Sequence, residues 1–254
     1  MCELFGFTSE YSKDLTPYLT EFFSHSTYHP NGWGIAKRNG NFIDIQTEPI
    51  CANKSKIIGD VIKNLYPQNF LLAHIRKATV GKVNKENCHP FTRNDKSGRQ
   101  WVLIHNGTIF SGMELITYMQ KQDGNTDSER ILLYIIDQIN LATDEKGCPL
   151  NQEERINIIE KVINTLSHRN KLNLLIYDGE NFYVHTNMKD TLYYKNDNGT
   201  IFSTTPLDNG VWSNVPMCTL QVYQEGKLIH TGKNHHNEYV LSTEFISENS
   251  NFNL

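Results

Sequence analysis

Cys2 is the residue from which chemistry is most directly read. It follows Met1 and opens the apolar run Cys2-Glu3-Leu4-Phe5-Gly6-Phe7. Removal of Met1 places a thiol and a free α-amine on one residue. The amine titrates at about 7.7–8.0 and a free thiol at about 8.5. Near neutral pH part of the amine is therefore unprotonated and can accept the thiol proton, which gives a nucleophile and its general base without a histidine. A small apolar residue opening a buried strand would look the same, and for Met-Cys alone that is the plainer reading.

A lone thiol does not cleave an amide. The tetrahedral intermediate needs donors for its oxyanion, and the substrate needs charge partners that hold it in register. In Ile104-His105-Asn106-Gly107-Thr108, an Asn side-chain amide beside a Gly backbone N–H could converge on one oxygen. Asn-Gly is also the strongest hairpin-turn signal, and it recurs at Asn31-Gly32, Asn39-Gly40, Asn198-Gly199 and Asn209-Gly210. In His74-Ile75-Arg76-Lys77-Ala78-Thr79-Val80-Gly81, Arg76 follows an apolar strand and could grip a carboxylate bidentately, or form a surface ion pair. Asn87-Cys88-His89-Pro90-Phe91 is a proline-fixed loop in which His89 is by default a polar loop residue. In Thr126-Asp127-Ser128-Glu129, Asp127 could hold an ammonium group or simply favour a helix N-terminus.

The elements that must position these groups are legible in outline. Strand-like runs are Cys2–Phe7, Trp33–Lys37, Phe42–Gln46, Phe70–His74 and Trp101–Ile104, then Leu172–Tyr177, Phe182–His185, Leu192–Lys195, Thr200–Ser203, Leu220–Tyr223 and Lys227–His230. Gly, Asn and Asp separate many of them, as hairpins require. Helical stripes comprise Leu15, Leu19, Phe22 and Phe23, then Ile57, Ile58, Val61, Ile62 and Leu65. Three more follow apparent caps: Ser111 with Glu114, Thr126 with Glu129, and Asn151 with Glu154. Strands at both ends with helices between them predict an α+β fold of mostly antiparallel sheets.

Composition narrows the partners. The 254 residues carry a net charge of −4, from 24 basic and 28 acidic side chains. No basic block suggests nucleic acid. Cys2, Cys51, Cys88, Cys148 and Cys218 are scattered, with no C-x-x-C pair, which predicts a reduced, cytoplasmic protein. The N-terminus has no signal-peptide pattern, and no apolar run is long enough to span a membrane. The pair His235-His236 has no zinc spacing around it, so neither a metal nor a cofactor is expected. Residues 1–241 are read as one domain and 242–254 as a polar tail.

The ordered set Met-Cys, His-x-Arg-x-Ala-Thr, Asn-x-His-Pro-Phe, His-Asn-Gly and Thr-Asp-Ser-Glu resembles the class II glutamine amidotransferases, members of the N-terminal nucleophile (Ntn) hydrolases. The resemblance covers roughly residues 2–135. It implies a four-layer α/β/β/α sandwich of two mostly antiparallel sheets. It implies Cys2 as nucleophile and Asn106 with Gly107 as the oxyanion hole. It implies Arg76, with Thr79 nearby, at the substrate α-carboxylate, Asp127 at its α-amine, and His89 close to the site. Some members have a histidine after the Arg-x-x-Thr threonine; here Val80 stands there, so a contact at that point must come from backbone or be absent.

The implied reaction is cleavage of a glutamine or γ-glutamyl amide through a γ-glutamyl thioester. Large members append a synthetase domain; this chain is more similar to the small stand-alone members, which share a segment like His29-Pro30-Asn31-Gly32-Trp33-Gly34, itself read as a turn into a strand. Ammonia could pass to a separate synthetase partner. Alternatively the chain could hydrolyse γ-glutamyl peptides or thiol conjugates with no acceptor, or be a catalytically silent binding module. Bile-salt and penicillin amidases also begin Met-Cys, but their apolar acyl substrates would not call for Arg76 and Asp127.

Overall fold

The computed structural model describes residues 2–40 and 42–241. The polar tail expected at 242–254 lies outside the described residues. Strand β1 (Glu3–Lys13) is followed by helix α1 (Thr16–Ser24), strands β2 (Trp33–Asn39) and β3 (Phe42–Glu48), the short helix α2 (Ile58–Lys63) and strand β4 (Gln68–Ile75). Strands β5 (Phe91–Asn94) and β6 (Gln100–Thr108) precede the long helices α3 (Asp127–Lys146) and α4 (Gln152–Leu166). The remaining strands are β7 (Lys171–Tyr177), β8 (Phe182–His185), β9 (Tyr193–Asn196), β10 (Thr200–Ser203), β11 (Ser213–Asn214), β12 (Gln221–Gln224) and β13 (Lys227–Thr231).

The strands form two antiparallel sheets. One has the order β11-β9-β10-β1-β4-β2-β3 and the other β13-β12-β8-β7-β6-β5. Period-two alternation gives each sheet two apolar faces. Phe5 and Phe7 of β1, with Leu71, Ala73 and Ile75 of β4, pack outward against Leu19 and Phe22 of α1. Leu103 of β6 and Leu172, Leu174 and Ile176 of β7 pack outward against Ile131 and Ile135 of α3 and Ile159 and Ile163 of α4. The alternate residues Leu4, Phe70, Leu72, Val102, Ile104, Leu175, Phe182 and Phe202 meet between the sheets. The fold is therefore the expected α+β sandwich with helices outside two facing sheets. None of the helices among the described residues is long and apolar enough to cross a membrane.

The Asn-Gly pairs divide by context. Asn39-Gly40 lies at the turn between β2 and β3, and Asn198-Gly199 joins β9 to β10 with φ of 50° and 123°. Asn106-Gly107 instead lies within β6, in register with Asn173 and Leu172 of β7.

The three expected helix caps fare differently. Ser111 does not start an α-helix: the N–H groups of Phe110 and Ser111 both donate to Asn170 Oδ1 (2.7 and 2.9 Å), which holds that stretch in a loop. A 3-10 turn over Met113–Tyr118 follows. Thr126 accepts from the Glu129 N–H at 3.2 Å, but the Glu129 carboxylate turns to the N–H groups of Asp123 and Gly124. Asn151 and Glu154 form a complete capping box: Asn151 Oδ1 accepts from Glu154 N–H at 2.9 Å, and Glu154 Oε2 from Asn151 N–H at 2.7 Å. Replacing Asn151 with Ala should cost about 1 kcal/mol. The expected readout is a lower urea midpoint with an unchanged slope.

Candidate active site

The candidate residues gather where the starts of β1 and β7 and the ends of β4 and β6 reach one end of the inter-sheet gap. Cys2 precedes β1, one residue before Glu3, which pairs with Ile75 at the end of β4. Its Sγ lies 3.4 Å from both the N and the O of Lys77. Burial pushes the Cys2 thiol pKa up, while the Lys77 N–H and the charges of Arg76 and Lys171 pull it down, with a net rise. A neutral thiol is thus favoured, so forming the thiolate here requires a nearby proton acceptor.

The two sheets are joined at this end by a hydrogen bond. His74, in β4, lies opposite Leu4 of β1 and donates from Nε2 to the backbone carbonyl of His105 in β6, at 3.3 Å. That tautomer leaves Nδ1 unprotonated, and Nδ1 has no partner among the described residues. His89 stacks on His74 with ring centroids 4.0 Å apart; it is buried, and neither of its ring nitrogens has a partner among the described residues. Its loop reaches this position because Gly34 of β2 has no side chain: a Cβ there would lie 2.0 Å from the His89 carbonyl oxygen.

Asn106 follows His105 and shares the inter-sheet face of β6 with Ile104. It is 2% exposed, and its Nδ2 has no hydrogen-bond partner among the described residues. Gly107 is held so closely that a Cβ would lie 2.0 Å from the Lys171 carbonyl oxygen and 2.3 Å from His105 Nε2. His105 points to the other face. Its Nδ1 meets Ser128 Oγ at 3.0 Å and its Nε2 donates to the Lys171 carbonyl at 3.3 Å, tying β6 to β7 and to the start of α3.

Arg76 is 3% exposed. Its Nη1 donates to Lys82 O at 2.9 Å and its Nη2 to Val80 O at 2.8 Å, with Gly81 O at 3.4 Å. Val80 therefore contributes its backbone carbonyl, and Thr79 is exposed in the same loop. Asn87 Nδ2 donates to the same Lys82 carbonyl (2.9 Å) and to Asn125 Oδ1 (2.6 Å), two residues before Asp127. Asp127 is 4% exposed; its Oδ2 accepts from Ile109 N–H at 2.8 Å and its Oδ1 from Ser128 N–H at 3.0 Å. Backbone pairing seats Arg76 against the His29–Gly34 segment: Asn31 N–H donates to Arg76 O (2.9 Å), Arg76 N–H to Gly32 O (2.8 Å), and Ala78 N–H to Asn31 Oδ1 (3.0 Å).

The structure thus brings Cys2, Arg76, His89, Asn106, Gly107 and Asp127 to one region, with Thr79 on its outer loop. His74, which opens the His-x-Arg-x-Ala-Thr motif but was given no role from it, also belongs to the region, as do Asn125 and Lys171, which lie in none of the motifs. The signal for His74 was its place in that motif, two residues before Arg76 and at the end of an apolar strand. A separate cavity of about 690 Å³, lined by Ser9, Tyr11, Asn196, Tyr223 and Lys227 among others, opens at the far end of β1 and contains none of these residues.

A match to the family model described as glutamine amidotransferases class-II spans residues 1–195. The chain belongs to the class II glutamine amidotransferase family. It is 27% identical over 92% of its length to an uncharacterized protein of Methanocaldococcus jannaschii, of which it covers 72%. Among solved structures, it is similar to a protein described as a predicted glutamine amidotransferase from Pseudomonas aeruginosa, with a TM-score of 0.57 and 20% identity over 90% of this chain and 95% of the other. It also resembles the glutamine phosphoribosylpyrophosphate amidotransferase of B. subtilis, with a TM-score of 0.66 and 15% identity over 92% of this chain. The chain spans about half of that enzyme, 49% of its length.

Burial drives the pKa of His74 down to about 3, that of His89 well below its ordinary value, and that of His185 at the end of β8 down to about 3. An unfolded histidine titrates at about 6.5. Below that pH the unfolded chain binds protons that the folded chain refuses, so stability falls as pH drops from about 6.5 toward 3 and is level above it. The expected loss is up to about 1.4 kcal/mol per pH unit for each such histidine. Urea unfolding at pH 7.5, 6.5 and 5.5 measures it; a His74→Gln chain should show a shallower dependence.

Proposed function

We propose that this chain is an amidohydrolase of the glutamine amidotransferase type, with Cys2 as the nucleophile that opens the side-chain amide of glutamine or of a γ-glutamyl compound. The observation that carries the reading is Asn106 Nδ2, a buried donor with no partner among the described residues, on the face of β6 that meets Cys2's end of β1. A buried unpaired donor costs about 1–3 kcal/mol. An oxyanion formed during attack by Cys2 would satisfy it, together with the Gly107 N–H.

In this reading Met1 is removed and the Cys2 α-amine takes the thiol proton. Sγ attacks the amide carbon, and the electron pair of the C=O bond moves to the oxygen held by Asn106 and Gly107. The α-amine returns its proton to the leaving nitrogen, which departs as ammonia or an amine. Water then hydrolyses the γ-glutamyl thioester and frees glutamate. Arg76 holds the substrate α-carboxylate: the loop carbonyls take at most three of its five donors. Thr79 lies beside that group, Asp127 takes the α-ammonium, and neutral His89 lines the pocket. Residues 1–241 act as one such unit. The five cysteines are free, which fits a reduced compartment such as the cytoplasm. Released ammonia would pass to a separate synthetase partner.

The test is glutamate release from glutamine, glutathione and other γ-glutamyl conjugates by a chain whose N-terminus is checked by intact mass. Cys2→Ala should abolish release and leave the fold unchanged; activity surviving that change, or full activity in a chain that keeps Met1, overturns the mechanism. Asn106→Ala should lower kcat by about 10²–10³. Asp127→Ala should act mainly by raising KM, because it removes a contact made already in the ground state.

A further inference from the structure

The end of the inter-sheet gap away from Cys2 gathers guanidinium charge. Arg38 lies near the end of β2, opposite Ile43 of β3 and two residues after Ala36, so alternation turns it toward the gap. Tyr177 ends β7, two residues after Leu175, and pairs with Val102 of β6. Arg99 immediately precedes β6. These residues, with Phe42, Ser97 and Gln100, line a cavity of about 510 Å³ to which both sheets contribute. Gln100 fastens its walls together: Oε1 accepts from the Ile43 N–H at 3.1 Å, and Nε2 donates to the Ile43 carbonyl at 3.2 Å.

The cations here have donors to spare, and the neighbouring carboxylates do not have acceptors to spare. Arg38 donates from Nη2 to the Tyr177 hydroxyl, whose own proton goes to Gly179 O at 2.8 Å. Burial pushes the Tyr177 pKa up to about 12, so that oxygen is a neutral acceptor and brings no counter-charge. Arg38 Nε is buried with no partner among the described residues. A buried donor of this kind is destabilising until something accepts from it. Arg99 donates from Nη1 to Asp178 O at 3.0 Å, while the carboxylates of Asp178 and Glu180 stand 3.8 and 3.7 Å away, beyond hydrogen-bond reach. Both carboxylates are engaged by Arg155, through Nε to Asp178 Oδ2 at 2.8 Å and Nη2 to Glu180 Oε2 at 2.5 Å. Asp178 also accepts from the Tyr183 hydroxyl and from the N–H groups of Glu180 and Asn181. Behind the Ser97 turn, Asp95 accepts from the N–H groups of Ser97 and Arg99 and from Trp101 Nε1.

We propose that this cavity is a binding site for a phosphate monoester, with the phosphoryl oxygens on Arg38 and Arg99. A carboxylate offers one edge, which a single guanidinium fork fills; a phosphoryl group offers three oxygens and can take forks from two directions. The volume lies within the range of small-molecule sites, about 300–1,000 Å³, and leaves room for an organic portion beside the phosphate. Phe42, 74% exposed on the same lining, gives that portion an apolar face. The site is separate from the candidate active site. From Gln100 here, β6 runs six residues to Asn106, about 20 Å at 3.4 Å per residue. The proposal therefore holds whether or not Cys2 is a nucleophile.

The test is isothermal titration calorimetry on the full chain with ribose 5-phosphate and adenosine monophosphate, and with ribose, adenosine, sulfate and inorganic phosphate as controls. At least one ester should bind saturably at one site with Kd below about 1 mM, and its unphosphorylated counterpart should not. Arg38→Gln and Arg99→Gln should each weaken that binding about tenfold or more. Arg38→Lys keeps the charge without the fork and should fall between; it serves where Arg38→Gln does not fold. Lys63→Gln, exposed and outside the cavity, and Cys2→Ala should bind as the wild type does. Absence of saturable binding by either ester overturns the proposal. So does sulfate or inorganic phosphate binding as tightly as the esters, affinity that survives in the folded arginine variants, or affinity lost in Cys2→Ala.

Discussion

The hydrogen bond from His74 Nε2 to the His105 carbonyl is the constraint on which the site's geometry depends. It crosses between the two sheets, and each of its two ends sits close to a candidate site residue. His74 pairs with Leu4 on one side and Gly34 on the other, two residues from Cys2 and two from Arg76. His105 is the immediate neighbour of Asn106. A typical hydrogen bond contributes only about 0.5–1.5 kcal/mol net, but losing one partner of a buried pair costs about 1–3 kcal/mol. The bond therefore matters less as a source of stability than as a fixed distance between sheets. Apolar contacts between Leu4, Ile104 and Leu175 hold the sheets together without specifying how the polar ends align.

That bond also requires an electrostatic condition. His74 stacks on His89 and lies near Arg76, so a proton on either ring would place a second cation in a buried space. Burial keeps both rings neutral, and the fixed charges at this end are left to Arg76, Lys171 and Asp127. Asp127 does not neutralise the cations directly, since two backbone N–H groups bind its carboxylate at the start of α3. Such prearranged dipoles and charges need little reorganisation when charge develops, which is where an active site gains most.

Much of this was legible in the sequence, and the reasons it was not complete are physical. Alternation located the strands well, and the order of the motifs located Cys2, Arg76, Asn106 and Asp127. Asn106-Gly107 could not be told from the other Asn-Gly pairs by local pattern; its distinction is that β7 pairs alongside it, and Gly107 touches a carbonyl 64 residues away. Lys171 looked like an ordinary lysine ahead of an apolar run, because its burial comes from a sheet formed by distant segments. Ser111 looked like a cap because its neighbours match a capping box; Asn170, from the start of the β7 segment, takes the relevant N–H groups instead. Short-range rules fail where a long-range partner offers the same backbone group a better bond.

Arg76 and Asp127 are linked by a common network. Arg76 and Asn87 donate to the same Lys82 carbonyl, and Asn87 binds Asn125 in both directions, through Nδ2 to Oδ1 at 2.6 Å and through Oδ1 to the Asn125 N–H at 2.8 Å. Asn125 leads through the cap residue Thr126 into Asp127. Arg76 follows the last residue of β4 in one sheet, and Asp127 starts a helix on the outside of the other. Packing of the layers alone would leave their separation subject to every small sliding of sheet on sheet. The Lys82–Asn87–Asn125 link ties them through loop backbone instead. Their spacing is set before anything binds, and the ordering cost that binding would otherwise carry falls on folding. Glu129 completes this from the helix side: it binds the N–H groups of Asp123 and Gly124 and pairs with Arg93 at 2.8 Å, so the turn that delivers Asn125 is itself anchored.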